Sequence, residues 1–284
     1  MADIAIVTDA GCDLTREQAR ALGIAIVPLV VRFGEDVDDD GSLDTEGFWR
    51  RVAASPPYPE TSQPSPAAFE AAFAPLIDAG KQVVCPLISE RLSGTFNAAC
   101  LAAQRFAQRV HVFDTRSLSL GQALIVLRAA EHARRGTPLD RLLADLTDMR
   151  RRTRLVIMLE TLDFLRRGGR ASRLLPMVRR ITRVLRVRPL LRLVDGELRP
   201  LGVARSRRRA AQALLRGILA AGPIETLAIA HTRSPDEAGA LADLAAEASG
   251  VQRDTVVVRE AGPALASHAG PGVLALAAIG QGRA

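Results

Sequence analysis

Aromatic residues are scarce in this chain, with one Trp, one Tyr and eight Phe among 284 residues. None is interleaved with the arginines of 166–192 or of 205–216, which argues against a surface that stacks nucleic-acid bases. Cysteine is equally sparse. Cys12, Cys85 and Cys100 are odd in number and far apart, with no C-x-x-C and no histidine at metal spacing. Reduced thiols are therefore expected, with no disulfide framework, no metal and no cofactor. Lys81 is the only lysine, so the formal net charge of +7 is carried by arginine. The first residues, "MADIAIVTDA", lack the cationic and apolar regions of a signal peptide, and the late apolar stretch 261–282 is broken by Gly, Pro and His268. A cytoplasmic protein with no membrane span is the expectation. Repeats and low-complexity tracts are absent.

What is present is the composition of a globular protein, 48% hydrophobic and 24% charged, long enough for one large or two ordinary domains. Between Asp163 and Asp195 there is no acidic residue, while ten arginines from Arg166 to Arg192 fall there. That run reads as a solvated basic face, or a docking surface for an acidic partner or an anionic membrane.

Along the first half, short apolar runs alternate with helical patterns. Strands are expected at 4–9, 24–33, 82–89 and 110–115, with helices near 15–23, through Phe48 and Trp49, from Ser65-Pro66 to Gly80, over 93–107 and over 117–135. The acidic stretch 35–44 reads as an exposed loop. The proline-rich stretch 55–66 reads as irregular, because proline excludes helix and central strand. This alternation predicts a parallel sheet with helices on both faces.

The second half reads differently. A strand is expected at 154–160, an amphipathic helix over 174–185, and a hairpin over 187–205 around Asp195-Gly196. A helix over 206–221 and a strand at "TLAIAHT" follow. Ser234-Pro235-x-Glu237 reads as a capping box opening another helix, and 255–260 as the last clear strand. The expectation is an α/β protein of two domains. Residues 1–153 form an N-terminal three-layer α/β/α domain with a parallel sheet and hydroxyl-bearing loops. Residues 154–284 form a C-terminal two-layer α/β domain with a mixed sheet, a basic surface and a loop carrying His268.

Three segments could carry chemistry. Ser93-Gly94-Thr95 leads from a strand into a helix, where free N–H groups and the helix dipole favour an anion. Read alone, Ser93 is more simply the cap of its own helix. Thr61 and Ser62 lie in a loop stiffened by prolines, which could be no more than a polar linker. His268 lies among small residues in "GPALASHAGPG", a setting that lets backbone approach another group.

Taken in order, "TDAGCDL", "TSQPSP", "LSGT", "DTRSLSLGQ", "TLDFLRRGGR", "VRPLLRLVDGEL" and "SHAGPG" resemble the DegV family of fatty-acid-binding proteins over essentially the whole chain. The resemblance implies two α/β domains with a ligand tunnel between them, holding a long-chain fatty acid. In bacteria that have the system, a separate fatty acid kinase subunit would convert it to an acyl phosphate for phospholipid synthesis. The protein itself would be non-catalytic. By matching position the carboxylate would contact Thr61 or Ser62, together with Ser93 in the Ser93-Gly94-Thr95 turn, with His268 close by. Arg170 and Arg205 match basic positions near the mouth or the partner. The chain departs from the family at Ala10 and Gly11, at Arg186-Val187-Arg188-Pro189, and at Ala264 and Ser267. A competing reading is a serine hydrolase of lipid-like esters, with Ser93 as nucleophile and His268 as base. It lacks a G-x-S-x-G elbow and a third residue to orient the histidine.

Overall fold

Continuous apolar runs make the first strands, because a strand covered on both faces needs no polar alternation. The structure, a computed structural model, describes residues 3–39, 43–54, 58–167, 187–220 and 222–282. The chain divides into two compact units, Met1–Arg151 with Gly262–Ala264, and Arg152–Ala261 with Leu265–Ala284.

In the first unit, Ile4–Asp9 (β1) is followed by Arg16–Ala21 (α1), where the Thr15 hydroxyl accepts from the amide of Gln18. Ile24–Val27 (β2) then lies parallel to β1. The single strand expected over 24–33 is broken at Pro28, which has no N–H for a ladder. Val30–Phe33 (β3) instead starts a small antiparallel sheet with Asp36–Asp39 (β4). Part of the expected acidic loop is thus an edge strand, and charges suit an edge that must not pair with another chain. Thr45–Ala54 (α2) buries Phe48 and Trp49, and its Arg51 reaches Asp36 at 3.2 Å and Asp38 at 2.5 Å.

The proline-rich stretch is also not irregular throughout. Pro59–Ser62 (β5) pairs antiparallel with the other side of β3, and a proline beginning an edge strand is tolerated. Pro66–Asp78 (α3), capped by Ser65, leads to Gln82–Leu87 (β6), Thr95–Ala103 (α4), Val110–Asp114 (β7) and Ser119–Arg134 (α5). Leu139–Arg152 (α6), where no element was expected, buries Leu142, Leu146 and Met149 at helical spacing. The parallel sheet runs β2-β1-β6-β7. Val7, Val83 and Cys85 face Phe69, Phe73 and Ala99 of α3 and α4. Thr8, pointing the other way by the two-residue period of a strand, meets Gln122 of α5. Helices therefore cover both faces.

In the second unit, Thr153–Met158 (β8) and Asp163–Arg167 (α7) precede Arg188–Val194 (β9) and Glu197–Ala204 (β10). Asp195 and Gly196 turn the hairpin with φ of 49° and 78°. The helix expected over 174–185 and Arg170 lie outside the described residues. Arg207–Leu219 (α8), Ile224–His231 (β11), Pro235–Ser249 (α9) and Val257–Glu260 (β12) follow. Two further elements correct the sequence reading. The segment around His268 is a helix, Pro263–Ala269 (α10), rather than a loop, and Leu274–Gly280 (β13) is a strand beyond the expected last one. The mixed sheet runs β10-β9-β8-β13-β11-β12, and only β11 and β12 pair in parallel within it. Leu214 and Ile218 of α8 and Leu241 and Ala245 of α9 pack with Val156, Ile229 and Leu276.

Candidate functional site

The carboxyl ends of β1, β6 and β7 gather buried polar groups: Thr8, Asp9, Ser89, Thr115 and Ser117. Open α/β sheets bind ligands at this end, where strands give way to loops and helix N-termini. Asp9, like Thr8, Ser89 and Ser117, has no exposed surface. Its Oδ2 accepts from the amide of Ile88 at 2.8 Å and from Gln122 Nε2 at 3.0 Å, and its Oδ1 from the amide of Gly11 at 2.8 Å. Burial pushes its pKa from 3.8 up to about 6, and the three hydrogen bonds only partly oppose that rise. Nearby Asp13 accepts from Ser119 Oγ at 2.5 Å and from the amide of Gly262 at 2.8 Å.

From Ile88 the chain turns tightly into α4. The amide of Ser89 donates to Ser117 O at 2.8 Å, and those of Leu92 and Ser93 donate to Ser89 O at 3.0 and 3.2 Å. Ser93 Oγ then lies 2.8 Å from Thr95 Oγ1 and accepts from the Thr95 amide at 3.3 Å. The N-cap of α4 is Gly94, with no side-chain cap, so Ser93 does not cap the helix; its hydroxyl and that of Thr95 instead form an adjacent pair at the start of α4. Gly94 has φ −73°, so its glycine is not needed for a left-handed backbone. The space beside it is filled by the tip of the exposed Gln63 side chain, which is free to shift. A Cβ there would stand 1.7 Å from Gln63 Oε1.

That contact joins the two hydroxyl-bearing segments. Gln63 directly follows β5, on which Thr61 pairs with Val31 and Ser62 with Val30. Thr61 is half-buried and Ser62 exposed. Sequence reasoning singled out both segments and missed the glutamine that packs one on the other. It is a contact between distant residues, and no local pattern announces it.

His268 lies in the last turn of α10 and is half-buried. The glycines after it have a structural explanation. Gly270 and Gly272 take φ of 74° and 82°, where side chains are strained, and a Cβ on Gly270 would stand 2.5 Å from the Phe164 ring. Thr232 Oγ1 also donates to Gly270 O at 2.6 Å. Gly270 and Gly272 thus fit the turn and Phe164.

Arg205 is exposed just beyond β10. The expected capping box at Ser234 does not form, since Ser234 makes no side-chain cap. Both of its polar members turn to Arg207 instead. Ser234 Oγ accepts from Arg207 Nη2 at 3.1 Å, and Glu237 accepts from Nε and Nη2. Arg207 Nη1 also donates to Glu160 at 2.8 Å and to Gly272 O at 3.1 Å. Among the described residues, no group of three or more His, Cys, Asp or Glu could hold a metal ion, and no helix is long and apolar enough to cross a membrane.

The model of the DegV family, described as uncharacterised proteins, matches residues 3–281. A DegV domain-containing protein of Deinococcus radiodurans is 36% identical over 282 residues, spanning 96% of this chain and 97% of its own. Among solved structures, a fatty-acid-binding DegV family protein from Thermus thermophilus superposes with a TM-score of 0.90 at 32% identity, covering 98% of this chain and all of its own. A stearic-acid-binding protein from Eubacterium ventriosum gives 0.86 at 25% identity, with 98% of each chain covered. With the family model matching nearly end to end and a relative this similar over nearly all of both chains, the chain belongs to the DegV family.

Proposed function

We propose that this protein binds a long-chain fatty acid and holds its carboxylate with the hydroxyls of Thr61, Ser62, Ser93 and Thr95 around Gly94. The observation that carries the proposal is the packing of Gln63 on Gly94, which brings the two hydroxyl-bearing segments together at the binding end of a parallel sheet. The fatty-acid ligands named for the Thermus and Eubacterium proteins point to the same class of ligand. The physical chemistry suits it. Tail burial contributes about 0.8 kcal/mol per methylene, so affinity needs no catalytic group. The head group must be hydrogen-bonded to leave water, and hydroxyls with the amides at the start of α4 can do that.

Neutral donors hold a carboxylate without a fixed cation and leave an oxygen free to attack. The proposal therefore extends to presentation. A partner kinase delivers the terminal phosphoryl group of a nucleotide, a carboxylate oxygen bonds to that phosphorus, and the nucleoside diphosphate leaves. His268 is assigned to head-group handling by resemblance alone. The hydrolase reading draws no support from Ser93, whose hydroxyl lies 2.8 Å from Thr95 Oγ1 within its own turn.

The test is denaturing extraction of the purified protein with mass spectrometry, followed by binding of stearate and stearyl alcohol. A near-stoichiometric fatty acid is expected. Ser93→Ala and Thr61→Val should weaken stearate by about 1–3 kcal/mol, the worth of a donor to a charge, and barely change the alcohol. Absence of a fatty acid together with no binding on adding one back sinks the proposal. Equal losses for acid and alcohol place these residues on the tail.

A further inference from the structure

Ile88 contributes the first backbone amide beyond β6, and the tight turn through Ser89 and Leu92 runs directly from it to Ser93. We propose that Asp9 positions the Ser93–Thr95 hydroxyl pair by holding the amide of Ile88 at the base of this turn. The inference rests on the fatty-acid reading of the site. Asp9 ties three parts of the unit at one point: the end of β1, the loop after β6 through Ile88, and α5 through Gln122. A buried carboxylate is stable only with its hydrogen bonds made, so the three parts are held in register. Gly11 completes the seat, since a Cβ there would stand 2.6 Å from Asp9 Oδ1. Beyond Ile88 the turn has little freedom, with Ser89 fixed to Ser117 O and both Leu92 and Ser93 bonded back to Ser89 O. A displacement of Ile88 is therefore passed on to Ser93.

The seat also responds to protonation. Gln122 is fully buried, and its Oε1 has no hydrogen-bond partner among the described residues. When Asp9 takes up a proton it becomes a donor, and Gln122 Oε1 can accept its hydrogen bond if the amide turns over. The bond from Ile88 then loses its charge assistance and weakens. The titratable groups facing Asp9 are Cys12, from the turn after β1, and Cys85 of β6. Both thiols are pushed up by burial first and then by Asp9. Asp13 lies beyond Cys12, α5 contributes the uncharged Gln122, and β2 places Val27 opposite Asp9. Ionised Asp9 thus grips Ile88 hardest above about pH 6 and loosens below it.

The experiment uses the full chain, with stearate and stearyl alcohol as probes, between pH 5 and pH 8. Amide NMR follows Ile88, Ser93 and Thr95, and carboxyl NMR follows Asp9. A common midpoint near pH 6 is expected for all four signals. Stearate should bind about three- to tenfold more weakly below it, and Asp9→Asn, which cannot titrate, should lack that step. Titration of stearate itself appears equally in both proteins and cancels in the comparison. Signals of Ser93 and Thr95 that stay still while Ile88 follows Asp9 overturn the proposal, as does one shared affinity profile for wild type and variant. Should Asp9→Asn fail to fold, the NMR titration of the unaltered chain decides alone. Failure of the wild type to bind stearate at pH 7.5 sinks the fatty-acid reading, and the NMR titration still judges the hold of Asp9 on the turn.

Discussion

Taking the Asp9 carboxyl out of water raises its pKa from 3.8 to about 6, with burial the largest cause. The folded state therefore binds this proton more tightly than the unfolded chain does. Stability from this group is fully present below pH 3.8 and is lost as pH rises through about 6, by roughly 3 kcal/mol in all. The same ionised carboxylate that grips Ile88 best is thus the one the fold tolerates least. Urea unfolding of the wild type and Asp9→Asn at matched pH isolates the group, since every other carboxylate is common to both. The stability difference should move by about 2 kcal/mol against the wild type between pH 4.5 and pH 7. A difference that is flat with pH would mean that Asp9 is not perturbed. Sequence could place Asp9 at the end of an apolar strand. It could not show its burial, because the three donors that make burial tolerable come from Gly11, Ile88 and Gln122, two of them far along the chain.

At the scale of elements, local patterns were legible and partners were not. Ser65-Pro66 before α3 and Asp195-Gly196 between β9 and β10 act through their own backbone, and both appear where the sequence puts them. The acidic run of β4 and the proline-led β5 became strands because β3 offered two edges, which only tertiary structure supplies. Strand β13, an alanine-rich apolar run, has no periodicity to separate strand from helix. The failed capping box is the clearest case of a tertiary partner overriding a local one. Arg207 occupies the first position of α8, where a cation opposes the helix dipole. Glu160 and Glu237 explain its place. Arg207→Met should cost the second unit about 1–2 kcal/mol, since the charges are partly exposed and the geometry is bidentate on Glu237. The loss should shrink in high salt, and Arg207→Lys should recover only part of it, having no planar fork. Urea unfolding at low and high salt reads all three. A Lys variant equal to the wild type would show that charge alone, without the fork, holds these elements.

For the molecule as a whole, the net charge of +7 and the head-group residues call for separate explanations. The hydroxyls proposed for the carboxylate are neutral, so a role of the exposed arginines in the approach of an acidic partner or an anionic membrane is a separate proposal. Arg205 is exposed, as are Arg208 and Arg209 a few residues on in the sequence. Charge reversal at Arg205 should leave stearate affinity unchanged and slow association with a partner kinase or with anionic vesicles. Added salt should erase that difference, because exposed charges are screened beyond about 8–10 Å. His268→Ala should do the reverse, keeping association and impairing acyl-phosphate formation. The measurements are stearate affinity, association rate and acyl-phosphate yield on the same two variants. Loss of stearate binding in a folded Arg205→Glu protein would move that arginine into the head-group site. A His268→Ala protein that forms acyl phosphate at the wild-type rate would remove the histidine from the chemistry, leaving the hydroxyls around Gly94 to present the carboxylate unaided.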